Sequence, residues 1–188
     1  MTGAVLDITE TDISGVVVVN RQRHRDRRGS FSRLFCSEEL RGVTGFGAVT
    51  QINHSHTELA GTVRGIHLQL DHGAEAKLVN VIRGRIWDVA VDLRAGSPTF
   101  LRWIAVELDG ESGTSLLIPK GCAHGFQTLE DGVDMIYVHD NLYSPELENG
   151  FNHFDTRLQI DWPLAVTTIS DRDKALPAVS VDYEGLNI

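Results

Sequence analysis

Arg64-Gly65-Ile66-His67-Leu68-Gln69 is the densest polar cluster on a strand-like stretch of this chain. Alternation along a strand puts His67 and Gln69 on one face, with Gly65 leaving room beside them. An imidazole titrates near neutrality, so His67 suits proton abstraction; the competing reading is a core histidine bonded to a backbone carbonyl. Lys77 stands between Ala76 and Leu78. A lysine is seldom buried without a partner, so it either snorkels from a strand edge or brings positive charge to a site. In Ile118-Pro119-Lys120-Gly121-Cys122-Ala123-His124-Gly125-Phe126, the Pro and Gly residues favour a tight turn that delivers His124 to the next strand. Tyr137, within Met135-Ile136-Tyr137-Val138, needs a hydrogen-bond partner if buried; it is a wall aromatic or a proton donor. Taken singly, His67, His124 and Tyr137 read as structural residues first, and Lys77 is as readily structural as chemical.

Such groups need a scaffold, and strand signals dominate. Val16-Val17-Val18-Val19 is β-branched throughout. Lys77–Ile82, the turn Arg83-Gly84-Arg85 and Ile86–Leu93 predict a β-hairpin. Alternation puts Asp88, Ala90 and Asp92 on one face of its second strand and Trp87, Val89, Val91 and Leu93 on the other. Further strands are expected at Phe100–Leu108, Ser115–Ile118, Gly125–Thr128 and Met135–Val138. Ser37–Arg41 predicts a short helix with Ser37 as N-cap. Short strands separated by Gly turns suggest an all-β sandwich or barrel, with the chain from Asn141 onward wrapping its outside. A barrel mouth can hold a small ligand.

The chain has 188 residues, 41% hydrophobic and 23% charged, which excludes a disordered or collagen-like protein. Its net charge of -9 argues against nucleic acid as a partner. The chain is locally basic at Arg21, Arg23, Arg25, Arg27 and Arg28, and a solvated strand edge accounts for Arg21, Arg23 and Arg25 better than binding does. Two cysteines, Cys36 and Cys122, cannot build a disulfide framework and suit a reducing compartment. Without a basic-then-apolar N-terminus or an apolar run of membrane-spanning length, the expectation is a cytoplasmic protein of one domain, 1–188, with no membrane partner.

Several strings extend these clusters. Glu75-Ala76-Lys77-Leu78-Val79, Asp88-Val89-Ala90-Val91-Asp92-Leu93-Arg94, Ser97-Pro98-Thr99 and Ile160-Asp161-Trp162-Pro163 accompany Arg64–Gln69 and Ile118–Phe126 in a fixed order. Together, from about Asp26 to Pro177, the chain resembles the dTDP-4-dehydrorhamnose 3,5-epimerase (RmlC-type) family. The resemblance implies an all-β double-stranded β-helix, the cupin or RmlC-like jelly roll, with a few short peripheral helices. It also implies a homodimer whose N-terminal strand crosses to its partner. The implied substrate is a nucleotide-diphosphate sugar, with no cofactor and no metal. His67 matches the family's general base, Asp173 the carboxylate paired with it, Tyr137 the catalytic acid and Lys77 the lysine facing the keto oxygen. Arg64, His124 and Arg172 match positions that bind diphosphate or line the pocket. Gln51, Asn53 and Tyr143 match substrate-pocket positions, and Arg28 and Phe31 match contacts supplied by the neighbouring subunit.

The implied chemistry is coherent. A C4 ketone acidifies the hydrogens on C3 and C5. Removing one gives an enolate, and a proton returned to the opposite face inverts the carbon. A base, an acid across the ring and a cation at the oxygen suffice. Arg33, Leu142 and His153-Phe154-Asp155-Thr156 depart from the commonest family pattern, which leaves the base, the hexose and the number of inverted carbons open. Three other readings compete: a metal-dependent cupin using His67, Glu75 and His124, a non-catalytic sugar-nucleotide binder, and a 3,4-ketoisomerase. A binder would not need His67, Lys77, Tyr137 and Asp173 together, and the Lys77 position and Ser170–Asp173 string resemble the epimerases more.

Overall fold

Val17-Val18-Val19 would crowd three β-branched side chains against the preceding turn of a helix; they lie extended instead. The structure is a computed structural model, and it describes residues 6–41, 43 and 46–188. Its strands are β1 (Leu6–Glu10), β2 (Val17–Arg21), β3 (Arg23–Asp26), β4 (Gly29–Ser32), β5 (Gln51–Thr57), β6 (Val63–Gln69), β7 (Lys77–Arg83), β8 (Arg85–Asp92), β9 (Trp103–Asp109), β10 (Thr114–Ile118), β11 (Cys122–Thr128), β12 (Val133–His139) and β13 (Glu148–Gly150). Helical structure among the described residues is one 3-10 turn, Asp71–Gly73, and one short helix, α1 (Asp171–Lys174). No helix there is long and apolar enough to cross a membrane.

Two antiparallel sheets form the body. One runs β1-β2-β10-β7-β12-β5, the other β13-β6-β11-β8-β9, and β3 pairs β4 apart from both. Val79, Val81, Leu116, Ile118 and Met135 of the first sheet pack against Ile86, Ala90, Leu108 and Phe126 of the second. Each such side chain contributes about 1.5–3 kcal/mol relative to exposure, which offsets the cost of the polar cavity at one end of this layer. The outer face of the second sheet is also apolar: Val89, Val91 and Leu93 are covered by Phe151, Leu158, Ile160 and Val179. The outer face of the first is covered around Leu78, Leu117 and Val138 by Leu40, Phe35 and Phe46.

Two expectations are corrected. Lys77–Arg83 and Arg85–Asp92 are both strands, but not a hairpin: β7 pairs β10 and β12, while β8 pairs β9 and β11. Gly84, at φ +75°, turns a corner between the sheets, and a Cβ there would fall 2.8 Å from Val133 Cγ2. A hairpin turn and an inter-sheet corner have the same local signature; here each strand is paired along both edges within its own sheet, which leaves no edge for a β7–β8 hairpin. Ser37–Arg41 forms a turn rather than a helix, with Leu40 N donating to Cys36 O at 3.0 Å. Five residues cannot repay helix nucleation unaided.

Candidate active site

A cavity of about 480 Å³ opens between the sheets. Arg64, His67 and Gln69 of β6 and His124 and Phe126 of β11 line one wall. Asn53 of β5, Lys77 of β7 and Tyr137 and His139 of β12 line the other, and Tyr143, Glu148, Arg172 and Asp173 close the side.

A bulge sets the first wall. His67 pairs with His124, but Arg64 pairs with Phe126, so three steps on β6 oppose two on β11. The extra residue carries Arg64 to the face of His67 and Gln69. Simple alternation had placed Gly65 on that face. It instead lies at φ +110° against β11, where a Cβ would fall 2.6 Å from the carbonyl oxygen of His124.

His67 Nε2 lies 2.8 Å from Asp173 Oδ1. Arg172 Nη2 is 3.2 Å from the same nitrogen. A carboxylate only accepts and a guanidinium only donates, so the closer, ionised Asp173 assigns the proton to Nε2 and leaves Nδ1 with its lone pair. Ser170 caps α1 by accepting from Asp173 N, and Asp173 Oδ2 accepts from Gly65 N at 3.1 Å. Burial would raise the Asp173 pKa, but the His67 bond and charge and the Gly65 N–H outweigh it and hold it at about 2.

His124 Nε2 lies 2.6 Å from Asp88 Oδ1. Asp88 is fully buried, and desolvation pushes its pKa up despite the charge of His124 and the hydrogen bond. Tyr137 sits edge-on to His124, ring centroids 5.8 Å apart. Its hydroxyl donates to Met135 Sδ, at 3.8 Å, and to no other side chain among the described residues. Burial, then the charge of Asp88, push the phenol above its ordinary pKa, so it keeps its proton. Lys77 is buried, its Nζ 3.0 Å from Glu75 Oε1.

The remaining expected site residues divide. Arg64 is exposed and donates to His56 O at 3.1 Å. Arg172 pairs with Glu148 at 2.5 Å, and Tyr143 donates to the same carboxylate at 2.6 Å. Gln51 does not line the cavity; it accepts from Tyr143 N at 3.0 Å and donates to Asn53 at 2.9 Å. Arg28 and Phe31 lie on the β3–β4 hairpin, away from this cavity: Arg28 pairs with Asp26, and Phe31 is 74% exposed. Arg33 pairs with Glu39. His67, Glu75 and His124 each face a different partner, and among the described residues no three such side chains converge for a metal. Sequence reasoning missed Asp88, His139 and Glu148, and Glu75 as the partner of Lys77. Asp88 shares the inward parity of Ile86 and Ala90, and His139 that of Tyr137, so alternation carried a signal for both.

A family model described as dTDP-4-dehydrorhamnose 3,5-epimerase matches residues 10–180. The chain belongs to this family. It is 37% identical over 183 residues to the dTDP-4-dehydrorhamnose 3,5-epimerase of Sinorhizobium fredii, covering 95% of this chain and 94% of that one. The structure of RmlC from Legionella pneumophila, a dTDP-6-deoxy-D-glucose-3,5-epimerase in complex with dTDP-4-keto-L-rhamnose, superposes with a TM-score of 0.89 at 34% identity, covering 97% and 99% of the two chains. ChmJ from Streptomyces bikiniensis, a 3'-monoepimerase in complex with dTDP-quinovose, gives 0.83 at 34% identity, covering 90% and 85%. The family's cupin jelly roll is the fold of this chain, and the chain is an isomerase of the sugar-epimerase class.

Proposed function

We propose that this epimerase inverts C3 and C5 of a dTDP-linked 4-keto-6-deoxyhexose without a cofactor. The observation that carries the reading is the placement of His67, braced by Asp173, and the protonated Tyr137 on opposite sheets facing one cavity. His67 Nδ1 takes the proton from the carbon beside the ketone, and Asp173 stabilises the imidazolium as triad carboxylates do. Lys77 donates to the oxygen as it becomes an enolate. Tyr137 returns a proton from the other face, which inverts the carbon. Arg64 and Arg172 bind the diphosphate, for which guanidinium geometry is suited, with His124 lining the pocket beside them. Tyr143 and Asn53, the latter held by Gln51, meet the remainder of the nucleotide sugar.

Arg28 and Phe31, exposed on a hairpin that leaves the body of the chain, complete the pocket of a second copy. The working unit is a homodimer with shared sites. The free Cys36 and Cys122 support a cytoplasmic location.

The test is incubation with a panel of nucleotide-linked 4-keto-6-deoxyhexoses in deuterated water. Two deuterons in the dTDP-linked product support the reading. One deuteron replaces it with a single inversion, preference for another base replaces the dTDP assignment, and no incorporation from any member overturns it.

A further inference from the structure

Lys77 opens β7 directly opposite His139 of β12. Between them sits Glu75, two residues ahead of the lysine. One carboxylate oxygen, Oε1, lies 3.0 Å from Lys77 Nζ. The other, Oε2, lies 2.9 Å from His139 Nδ1 and accepts from Gln69 Nε2 at 3.2 Å. The imidazole contact is set off the ring N–H direction, since His139 Nδ1 has no aligned hydrogen-bond partner; it is a close approach of ring and carboxylate. His139 is fixed independently, its ring stacked on Tyr137 at 6.0 Å and its Nε2 3.5 Å from Asn53 Nδ2. All three members of the row are buried: Lys77 is 6%, Glu75 9% and His139 7% exposed.

A carboxylate beside a lysine has two opposed effects. It fixes the ammonium in place, and it cancels the positive potential that an enolate oxygen would meet. Drawing the second carboxylate oxygen to an imidazole and an amide relieves that cancellation. An ammonium has three donors, and one is spent on Glu75. We infer that Glu75 and His139 are positioning residues for Lys77: the carboxylate anchors the ammonium, the imidazole anchors the carboxylate, and an N–H bond of the ammonium is left to meet the keto oxygen. The inference rests on the function proposed above, in which Lys77 steadies the enolate. It adds His139 and Glu75, which touch neither ketone nor proton, to the set that determines the rate. A donor fixed before the reaction costs no reorganisation when charge develops.

The experiment is a double-mutant cycle read by C–H exchange in deuterated water. Wild type, His139→Gln, Lys77→Met and His139→Gln with Lys77→Met are compared for kcat and KM. The expected result is a kcat loss of roughly tenfold or more for His139→Gln with KM within about threefold, because the interaction is made at the transition state. In the Lys77→Met background, His139→Gln is expected to cost no further loss, since both changes remove one function. Equal losses in both backgrounds, or a loss confined to KM, would overturn the inference. Glu75→Gln and Glu75→Asp provide a second arm: Asp, which keeps the charge, is expected to recover part of the rate that Gln loses, and equal loss in both counts against the anchor. If Glu75 variants do not fold, the His139 cycle decides alone. Failure of the wild type to exchange any substrate hydrogen falsifies the proposed function instead, so the two outcomes are distinct.

Discussion

His67 and Asp173 meet at 2.8 Å although 106 positions separate them in the chain. A sheet strand supplies the imidazole, and the capped first turn of α1 supplies the carboxylate. Their contact settles which nitrogen is free to act as base. Replacing Asp173 by Asn keeps the shape but removes the charge and permits the wrong tautomer. We expect Asp173→Asn to lower kcat roughly 10³- to 10⁴-fold, as loss of the equivalent charge does in hydrolase triads, with little change in KM. Single-turnover exchange measured alongside a thermal melt checks it; a lowered melting temperature with an unchanged rate below it would assign Asp173 a structural role only.

Tyr137 separates the two halves of the reaction. Among the described residues its hydroxyl hydrogen-bonds to Met135 Sδ alone, so Tyr137→Phe leaves no stranded polar partner there and should shift stability by less than about 1 kcal/mol. His67 remains able to remove a proton and to return a deuteron to the same face. The expected outcome is deuterium incorporation with retained configuration, followed by NMR of the sugar ring. Inversion at the wild-type rate would remove the phenol from the mechanism.

Arg64 is exposed, and its recorded hydrogen bond is to a backbone oxygen. A contact to diphosphate persists from ground state to transition state, so its loss weakens binding without slowing chemistry. Arg64→Ala should raise KM tenfold or more, on the scale of one charge-assisted hydrogen bond, while kcat stays near wild type. Steady-state kinetics at two salt concentrations check this, and a pure kcat defect contradicts it.

Much of this arrangement is visible in the chain before folding, but unevenly. The strands are legible because β-branched and aromatic residues announce them locally. Their pairing is not: the Gly84 corner and a hairpin turn look alike, and the long-range pairing of β7 with β10 and β12 and of β8 with β9 and β11 distinguishes them. His67, Lys77 and Tyr137 stand out by residue type. The carboxylates that position such groups do not: Asp173, the partner of His67, is remote in sequence, and Asp88, the partner of His124, is marked only by sharing the inward parity of Ile86 and Ala90. Family resemblance supplied Asp173. Nothing local pointed to the bulge that turns Arg64 into the cavity.

Acid should unfold this protein through identifiable carboxylates. Glu75, Asp92 and Asp173 are held at about 2, against ordinary values of 4.5, 3.8 and 3.8. For Asp92, burial acts upward, and the Arg94, Ser97 and Thr99 bonds overcome it. Depressed carboxylates stabilise the fold fully above their unfolded values, and that stabilisation is lost as pH falls through the native ones. The window is therefore about pH 4.5 down to 2. Asp88, raised by burial, works in the opposite sense. Asp92→Asn should cost about 1–2 kcal/mol at pH 7, with solvent screening allowed for, and should flatten the loss between its ordinary value of 3.8 and its native value of about 2 in chemical denaturation. An unchanged slope would show that the Asp92 cluster holds no native-state charge.

Phe31 and Arg28 project from a hairpin that contributes nothing to the cavity of its own chain. If they complete the neighbouring site, then His67→Ala and Arg28→Ala should complement each other. A mixed dimer has one pocket with both defects and one with neither. The second combines His67 of the Arg28→Ala chain with Arg28 of the His67→Ala chain. Random co-assembly makes half of the dimers mixed, so at a substrate concentration where Arg28→Ala alone is barely active, co-expression should restore about a quarter of wild-type activity, as two-fold symmetry requires. Mass photometry of the mixture should show dimers throughout. Activity of the mixture no higher than the mean of the separate variants would place Arg28 outside any shared pocket.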